Sequence, residues 1–396
     1  AREKLAIAYL ESGRIEQAER EFHKVLNQNP ANKQIRLNLA KVYLRLNKPD
    51  ESLKIIDDYL LQHPMESEAL EYKGTAHVLK KQLPDAERSF IQALQSDPKR
   101  FSARLELASL YAVSGRVSDA RKQILDVLSA DPNNVKAYYL LAQLESVSGN
   151  VQKALEAYRK IGVISNKEPM ALYKSALIHI EQGDLAKAEQ VSVEMNQKFP
   201  KSGEAIRLSG LINFKKKNYI EAESLLKNSI KVQPIIEGYY YLGMTQQAMG
   251  QLESAMSQFR AILDRAPAHN KSRLMIALIF LQQKRVDDAI SEIKKVIDSD
   301  PVNGFAHNIM GSALIVKGQF EEGMRELNRA TELDPRIVDA YIKKGLINLS
   351  KGKDREGEAE LMTAVKVNQE LLNARLLLFN YYMKKNNSQK GIELLK

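Results

Sequence analysis

Apolar residues along this chain recur at spacings of three and four, in short stretches separated by polar turns, and not in the alternation of a half-buried strand. That pattern predicts helices taken two at a time. Each pair is punctuated by proline. Pro30, Pro64, Pro98 and Pro132 stand 34 residues apart, and Pro200, Pro234, Pro267, Pro301 and Pro335 continue the beat. Asn166 fills one slot, and the interval ending at Pro267 is 33 residues. A fixed period of this length marks a stack of helical hairpins, each packing mainly on its neighbours.

Within the unit, numbered so that proline is thirty-second, two positions are small in every complete unit. The eighth is Ala40, Gly74, Ala108, Ala142, Ala176, Gly210, Gly243, Ala277, Gly311 and Gly345. The twentieth runs from Ser52 and Ala86 through Ala154, Ala222 and Ala289 to Gly323 and Gly357. One small residue in each half lets two antiparallel helices approach closely. Between the halves lies a turn that often carries glycine, as at Gly13, Gly115, Gly149 and Gly250, where a left-handed cap costs nothing sterically. Pro49 and Pro84 fall at the start of second helices, where a missing amide proton is tolerated.

Gly323 and Gly357 lower helix propensity by about 1 kcal/mol each relative to alanine. The 33-residue interval removes one residue near Ile235 to Gly238. Either the connection between hairpins is shortened there, changing the local path, or a helix loses part of a turn.

The recurring residues resemble the tetratricopeptide repeat over the whole chain. The first unit retains Ala6, Tyr9, Gly13, Ala18, Phe22 and Pro30, and the last retains Tyr382 and Gly391. The resemblance implies an all-α fold: a right-handed alpha-alpha superhelix of about twelve hairpins, as one continuous array over residues 1–396. It also implies that the first helix of each unit lines an inner, concave surface through its second, fifth, ninth and twelfth positions. Those offsets select a run of apolar and aromatic side chains in the middle of the chain. The expected partner-binding residues are Tyr173, Leu177, Ile180, Arg207, Leu211, Phe214, Tyr240, Met244, Lys271, Leu274 and Leu278. The opposing reading is that these side chains merely pack between adjacent first helices. Tetratricopeptide cochaperones clamp a terminal carboxylate with Lys and Asn from successive first helices. Here Lys41 is followed by Thr75 and Ser109, so that clamp is not assembled.

Composition narrows the function classes. The 396 residues are 44% hydrophobic and 27% charged, those of a folded chain without a membrane-spanning stretch. The net charge of +10 is spread along the length, and acidic pairs such as Asp287-Asp288 and Glu321-Glu322 interrupt the lysine runs, which argues against a nucleic-acid groove. The six histidines are scattered without metal-ligand spacing, and no phosphate-binding glycine loop is present. No catalytic residue, metal or cofactor is expected. The absence of cysteine excludes thiolate chemistry and disulfides, and it leans toward an exported protein. The sequence begins at Ala1 without Met and starts and stops inside a repeat, so it reads as a segment of a longer protein.

The functional expectation is a protein–protein interaction scaffold that binds a protein or peptide, or a second copy of itself. Junctions such as Asp131 to Asn134 resemble in texture the repeat regions of bacterial exopolysaccharide-export and exosortase-associated lipoproteins. That resemblance implies a periplasmic scaffold anchored to the outer membrane through a segment outside this sequence. The alternatives are a cytoplasmic peptide-binding adaptor and the repeat arm of a larger enzyme such as a glycosyltransferase.

Overall fold

A computed structural model describes residues 2–29, 32–368 and 372–394, so Pro30 lies outside the described residues. Every element among them is helical. The chain divides into two compact units, Ala1–Pro200 and Lys201–Lys396, each carrying twelve helices paired as antiparallel hairpins. The first unit contains α1 (Arg2–Glu11), α2 (Ile15–Gln28), α3 (Lys33–Arg45), α4 (Pro49–Gln62), α5 (Ser67–Leu79), α6 (Leu83–Ser96), α7 (Phe101–Val113), α8 (Val117–Ala130), α9 (Val135–Val147), α10 (Val151–Ile164), α11 (Pro169–Glu181) and α12 (Leu185–Lys198). The second contains α13 (Gly203–Lys215), α14 (Tyr219–Val232), α15 (Ile236–Ala248), α16 (Leu252–Arg265), α17 (Asn270–Gln282), α18 (Val286–Ser299), α19 (Gly304–Val316), α20 (Phe320–Leu333), α21 (Val338–Ser350), α22 (Asp354–Val367), α23 (Leu372–Lys384) and α24 (Ser388–Glu393).

The small residues sit where the hairpins close. Ala40, Ala108, Ala142, Ala277, Ala86, Ala154 and Ala289 are fully buried. The choice between glycine and alanine at the eighth position follows the residue facing it on the second helix. A Cβ on Gly74 would meet the Phe90 ring at 2.5 Å, and one on Gly210, Gly243 or Gly345 would lie 2.8 Å from Leu226, Phe259 or Leu361. Where the facing position carries the β-branched Ile56, Ile124 or Ile293, the eighth position is alanine: Ala40, Ala108 and Ala277. An aromatic or γ-branched side chain reaches far enough to occupy the Cβ space, whereas isoleucine carries its bulk nearer its own backbone. The first and fifth hairpins depart from this rule, with Ala6 opposite Phe22 and Ala142 opposite Tyr158.

Each inter-helix turn described places its left-handed residue at one point. Seven turns use glycine, from Gly13 at φ 77° to Gly352 at φ 74°, while Asn47, Lys81, Lys217, Lys284 and Asn386 adopt φ of 55–64°. The basic runs ending at Lys81 and Lys217 thus supply the turn as well as charge near the helix C-terminus.

Junctions between hairpins are built by short-range capping. Asp131 Oδ1 accepts the Asn133 amide at 3.2 Å and Oδ2 accepts Asn134 Nδ2 at 2.9 Å, while Asn134 Oδ1 caps α9 through the Ala137 amide at 3.0 Å. Asp300 and Asn303 repeat this arrangement before α19. The Asp-Pro-Asn-Asn sequence therefore has a local mechanical role. The residue missing from the 33-residue unit is lost from the connection: α14 ends at Val232 and α15 starts at Ile236, both at full length, and Gly238 admits Ile230 Cγ1 to 3.0 Å of where a Cβ would stand.

Candidate partner-binding face

In both units the first helices of successive hairpins touch. The pairs are α1 with α3, α3 with α5, α5 with α7 and α7 with α9 in the first unit, and α13 with α15, α17 with α19 and α19 with α21 in the second. Among the described residues, successive second helices make no comparable approach. A row of hairpins packed more tightly along one edge curves toward that edge. The first helices therefore form the inner face of each unit.

On this face the fifth position lies in the seam between neighbouring first helices. Tyr173 and Arg207 are 0% exposed, and Leu274 is 3% exposed. Leu211, at a ninth position, is buried too. Polar residues in the seam bond across it to the second position of the next hairpin. Ser102 Oγ donates to Glu71 Oε2 at 2.8 Å, Arg207 Nε to Glu237 Oε2 at 3.1 Å, and Asn308 Nδ2 to Asp339 Oδ2 at 2.9 Å. Arg207 also reaches Gln233 Oε1 at 3.3 Å. A buried guanidinium requires such partners, because stripping its water without replacement costs several kcal/mol.

The expected binding residues therefore divide. Tyr173, Arg207, Leu211 and Leu274 turn inward and serve hairpin-to-hairpin packing. Leu177 and Ile180 in the first unit, and Phe214, Tyr240, Met244 and Leu278 in the second, are half-buried; Lys271 is exposed. Tyr240 packs edge-on against Phe259 at 5.7 Å and His269 at 6.0 Å, and burial pushes its phenol pKa up. Burial, then the Lys271 charge, holds His269 below its ordinary value. The same offsets carried one and two hairpins further find side chains that are freely offered: Phe305 is 48% exposed and Leu346 is 43% exposed. They occupy the second and ninth positions of their first helices, and the repeat register alone was sufficient to find them.

The first unit's inner face is more polar. Glu71 is held by Arg100 as well as Ser102. Glu106 reaches solvent yet is ringed by protein; desolvation and then the Glu71 charge raise its carboxyl pKa, with Lys136 opposing. Among the described residues no cluster of three His, Cys, Asp or Glu is arranged to hold a metal, and no helix is long and apolar enough to cross a membrane.

Comparison with known proteins agrees with this architecture. Tetratricopeptide repeat profiles match residues 9–72 and 78–144, and a second such profile matches residues 240–303. The chain is thus a homologue of the tetratricopeptide repeat family, and it is a protein–protein interaction scaffold of that type. No curated protein matches it. Among solved structures, the crystal structure of the APC/C hetero-tetramer Cut9–Hcn1 aligns with 99% of this chain and 86% of its own at 12% identity and a TM-score of 0.55, a likeness of fold. A tetratricopeptide repeat protein from Parabacteroides merdae ATCC 43184 aligns with 61% of this chain and 96% of its own, at 17% identity and a TM-score of 0.47.

Proposed function

We propose that the inner face of the second unit binds a protein or peptide partner, with Phe305 and Leu346 as its accessible anchors and Tyr240, Met244 and Leu278 as its firm floor. The observation that carries this reading is the exposure of Phe305 and Leu346 on the same row of first helices that carries the half-buried Tyr240, Met244 and Leu278. Large apolar side chains held on a rigid support desolvate a partner at low entropic cost. Lys271 and Asp339, exposed on the same row of second positions, supply opposite charges that orient it.

A pull-down from the native source tests this with Phe305→Asp and Leu346→Asp combined. The partner is expected to be lost while the melting temperature is unchanged, because both side chains are exposed. Full capture by a folded double variant would remove the assignment.

The finer reading is a scaffold in a bacterial cell-envelope export assembly, acting in the periplasm. It is supported by the lack of cysteine and by the texture of the Asp131–Asn134 junction, although capping accounts for that junction locally. Fractionation of the native cells decides it: recovery with the periplasmic or outer-membrane fraction is expected, and recovery with the cytosol favours the adaptor reading.

A further inference from the structure

At the junction before α19 the fold uses a histidine where other hairpins use arginine. The fourth position of the unit is Arg36, Arg104 and Arg273 in the second, fourth and ninth hairpins, and His307 in the tenth. Arg273 Nη2 donates to the Pro267 carbonyl at 2.9 Å and Nη1 to Glu292 Oε2 at 2.9 Å. Arg104 does likewise, with Nη2 on the Pro98 carbonyl at 3.2 Å and Nη1 on Gln123 Oε1 at 3.1 Å and Asp126 Oδ2 at 3.3 Å. Each of these two guanidinium groups clips the first turn of its helix both to the chain entering the hairpin and to the second helix.

His307 makes the same two contacts from the same place. Its Nε2 lies 3.1 Å from the Pro301 carbonyl and its Nδ1 2.6 Å from Glu326 Oε2, at the position Glu292 holds in the hairpin before. The residue is buried, so water does not replace either partner. Both partners are acceptors. A carbonyl offers no proton and an ionised carboxylate none, so both ring nitrogens must donate, which only the imidazolium does. Neutral imidazole carries one N–H, and its other nitrogen would turn a lone pair toward an oxygen. Arginine never meets this choice, because it stays charged throughout.

The cleft at the equivalent Arg36 is lined by His23 of the preceding second helix and by Glu51, Lys54 and Asp58 of its own. The same positions of the repeat place Lys294 of α18 and Glu322, Arg325 and Arg329 of α20 about His307. Arg329 pairs with Glu332 at 3.2 Å, and Glu326 is the group that bonds the ring. On α17, Arg273 is committed to Glu292, and on α21, Asp339 holds Asn308 and Lys343. Asp300 in the junction accepts from Asn303.

We propose that His307 makes the junction before α19 a proton-dependent clip, fastened while the ring is an imidazolium and released from one of its two partners when the ring is neutral. Its contribution is present at low pH and lost as pH rises. Asn303 still caps α19 through the Ala306 amide at 3.0 Å, so the loss loosens the first turn without undoing the hairpin. Phe305 stands on that turn, two residues from His307. The proton thereby sets how firmly Phe305 is held, a consequence that rests on the inner-face reading, as the clip itself does not.

Hydrogen exchange of the whole chain, corrected for the intrinsic rate at each pH, tests the clip at about pH 5.5 and about pH 8.5, either side of the range where histidine changes charge. Protection of the amides of residues 304–308 in wild type is expected to fall about tenfold relative to His307→Arg as pH rises, the factor that one charge-assisted hydrogen bond supplies. The junction at 98–104, which contains no histidine, should show no such fall in either protein. An undiminished fall in His307→Arg, or the same response at 98–104 as at 301–307 in wild type, would overturn the assignment. The second comparison needs no variant. Both readouts are taken on the free protein, so failure of the clip leaves the inner-face reading standing, and the reverse.

Discussion

Gly311 on α19 and Gly323 on α20 exclude side chains from each other reciprocally. A Cβ on Gly311 would lie 2.9 Å from the carbonyl oxygen of Gly323, and a Cβ on Gly323 would lie 3.0 Å from the carbonyl oxygen of Gly311. The next hairpin repeats the relationship with Gly345 and Gly357, at 3.2 and 3.0 Å. Two helix backbones in contact leave no flexible group to yield. The lower helix propensity of these glycines is therefore offset by a closer hairpin, with Ile315 and Leu349 filling the space beside Gly323 and Gly357.

Gly323→Ala should consequently destabilise the second unit by about 1–3 kcal/mol, overpacking outweighing the gain of about 1 kcal/mol in helix propensity. Urea unfolding followed by circular dichroism measures the difference. A more stable variant would show that the two backbones separate freely.

The turns offer a change of opposite sign. Lys217 and Lys284 hold φ of 64° and 61°, a conformation that costs an L-residue about 1–2 kcal/mol. Lys217→Gly and Lys284→Gly should each stabilise by about 0.5–1 kcal/mol after the added flexibility of the unfolded chain is counted. The matching reversal, Gly250→Lys, should lose a similar amount, and thermal melts of the three variants check the signs together.

The seam between first helices predicts a cost for removing one member of a pair. Glu237→Ala removes an ion-pair partner of the fully buried Arg207, whose contacts with Gln233 and the Gly203 carbonyl remain. Because a third of the Glu237 side chain meets solvent, the expected loss is reduced to about 1–3 kcal/mol. Changing Arg207 and Glu237 together to Met and Gln should recover part of it. A Glu237→Ala variant as stable as wild type would show that water reaches the guanidinium.

Stability should also depend on pH through Glu145. Its carboxylate takes two bonds from Arg121, at 2.5 and 3.1 Å, and one from Asn150 at 2.6 Å. The Arg121 bonds above all, against the opposing effect of burial, hold its pKa below the ordinary 4.5. A pKa lowered by folding stabilises above the unfolded value and loses that contribution as pH falls through the folded one. Wild type should exceed Glu145→Gln by about 1–2 kcal/mol at pH 7, with the gap closing below pH 4.5. A gap constant from pH 7 to pH 3 would locate the benefit elsewhere.

The helices were legible in the sequence because their signals are local. Apolar spacing, the small pair and the turn glycine are each read within one hairpin, and a period of 34 residues repeats them until chance is excluded. The inner stripe was legible only as a face. Offsets on a helix say which way Tyr173, Arg207, Leu211 and Leu274 point, but the distance to the next first helix decides whether they meet solvent, and that distance arises from the curvature of the stack. The same limit concealed the surroundings of Gly162: in sequence it is a glycine where leucine recurs, and in the folded unit it lines an open cleft between α10 and α12.

By itself, then, the sequence determined the repeat, the all-helical class and the likeness to the family, because each depends on interactions within about one unit length. Tertiary structure alone decided which inner side chains are seam and which are surface, why Gly311 faces Gly323, and where the outer groove is left open. Those properties belong to the contact between hairpins, set by how neighbouring backbones approach, and no single repeat contains that information.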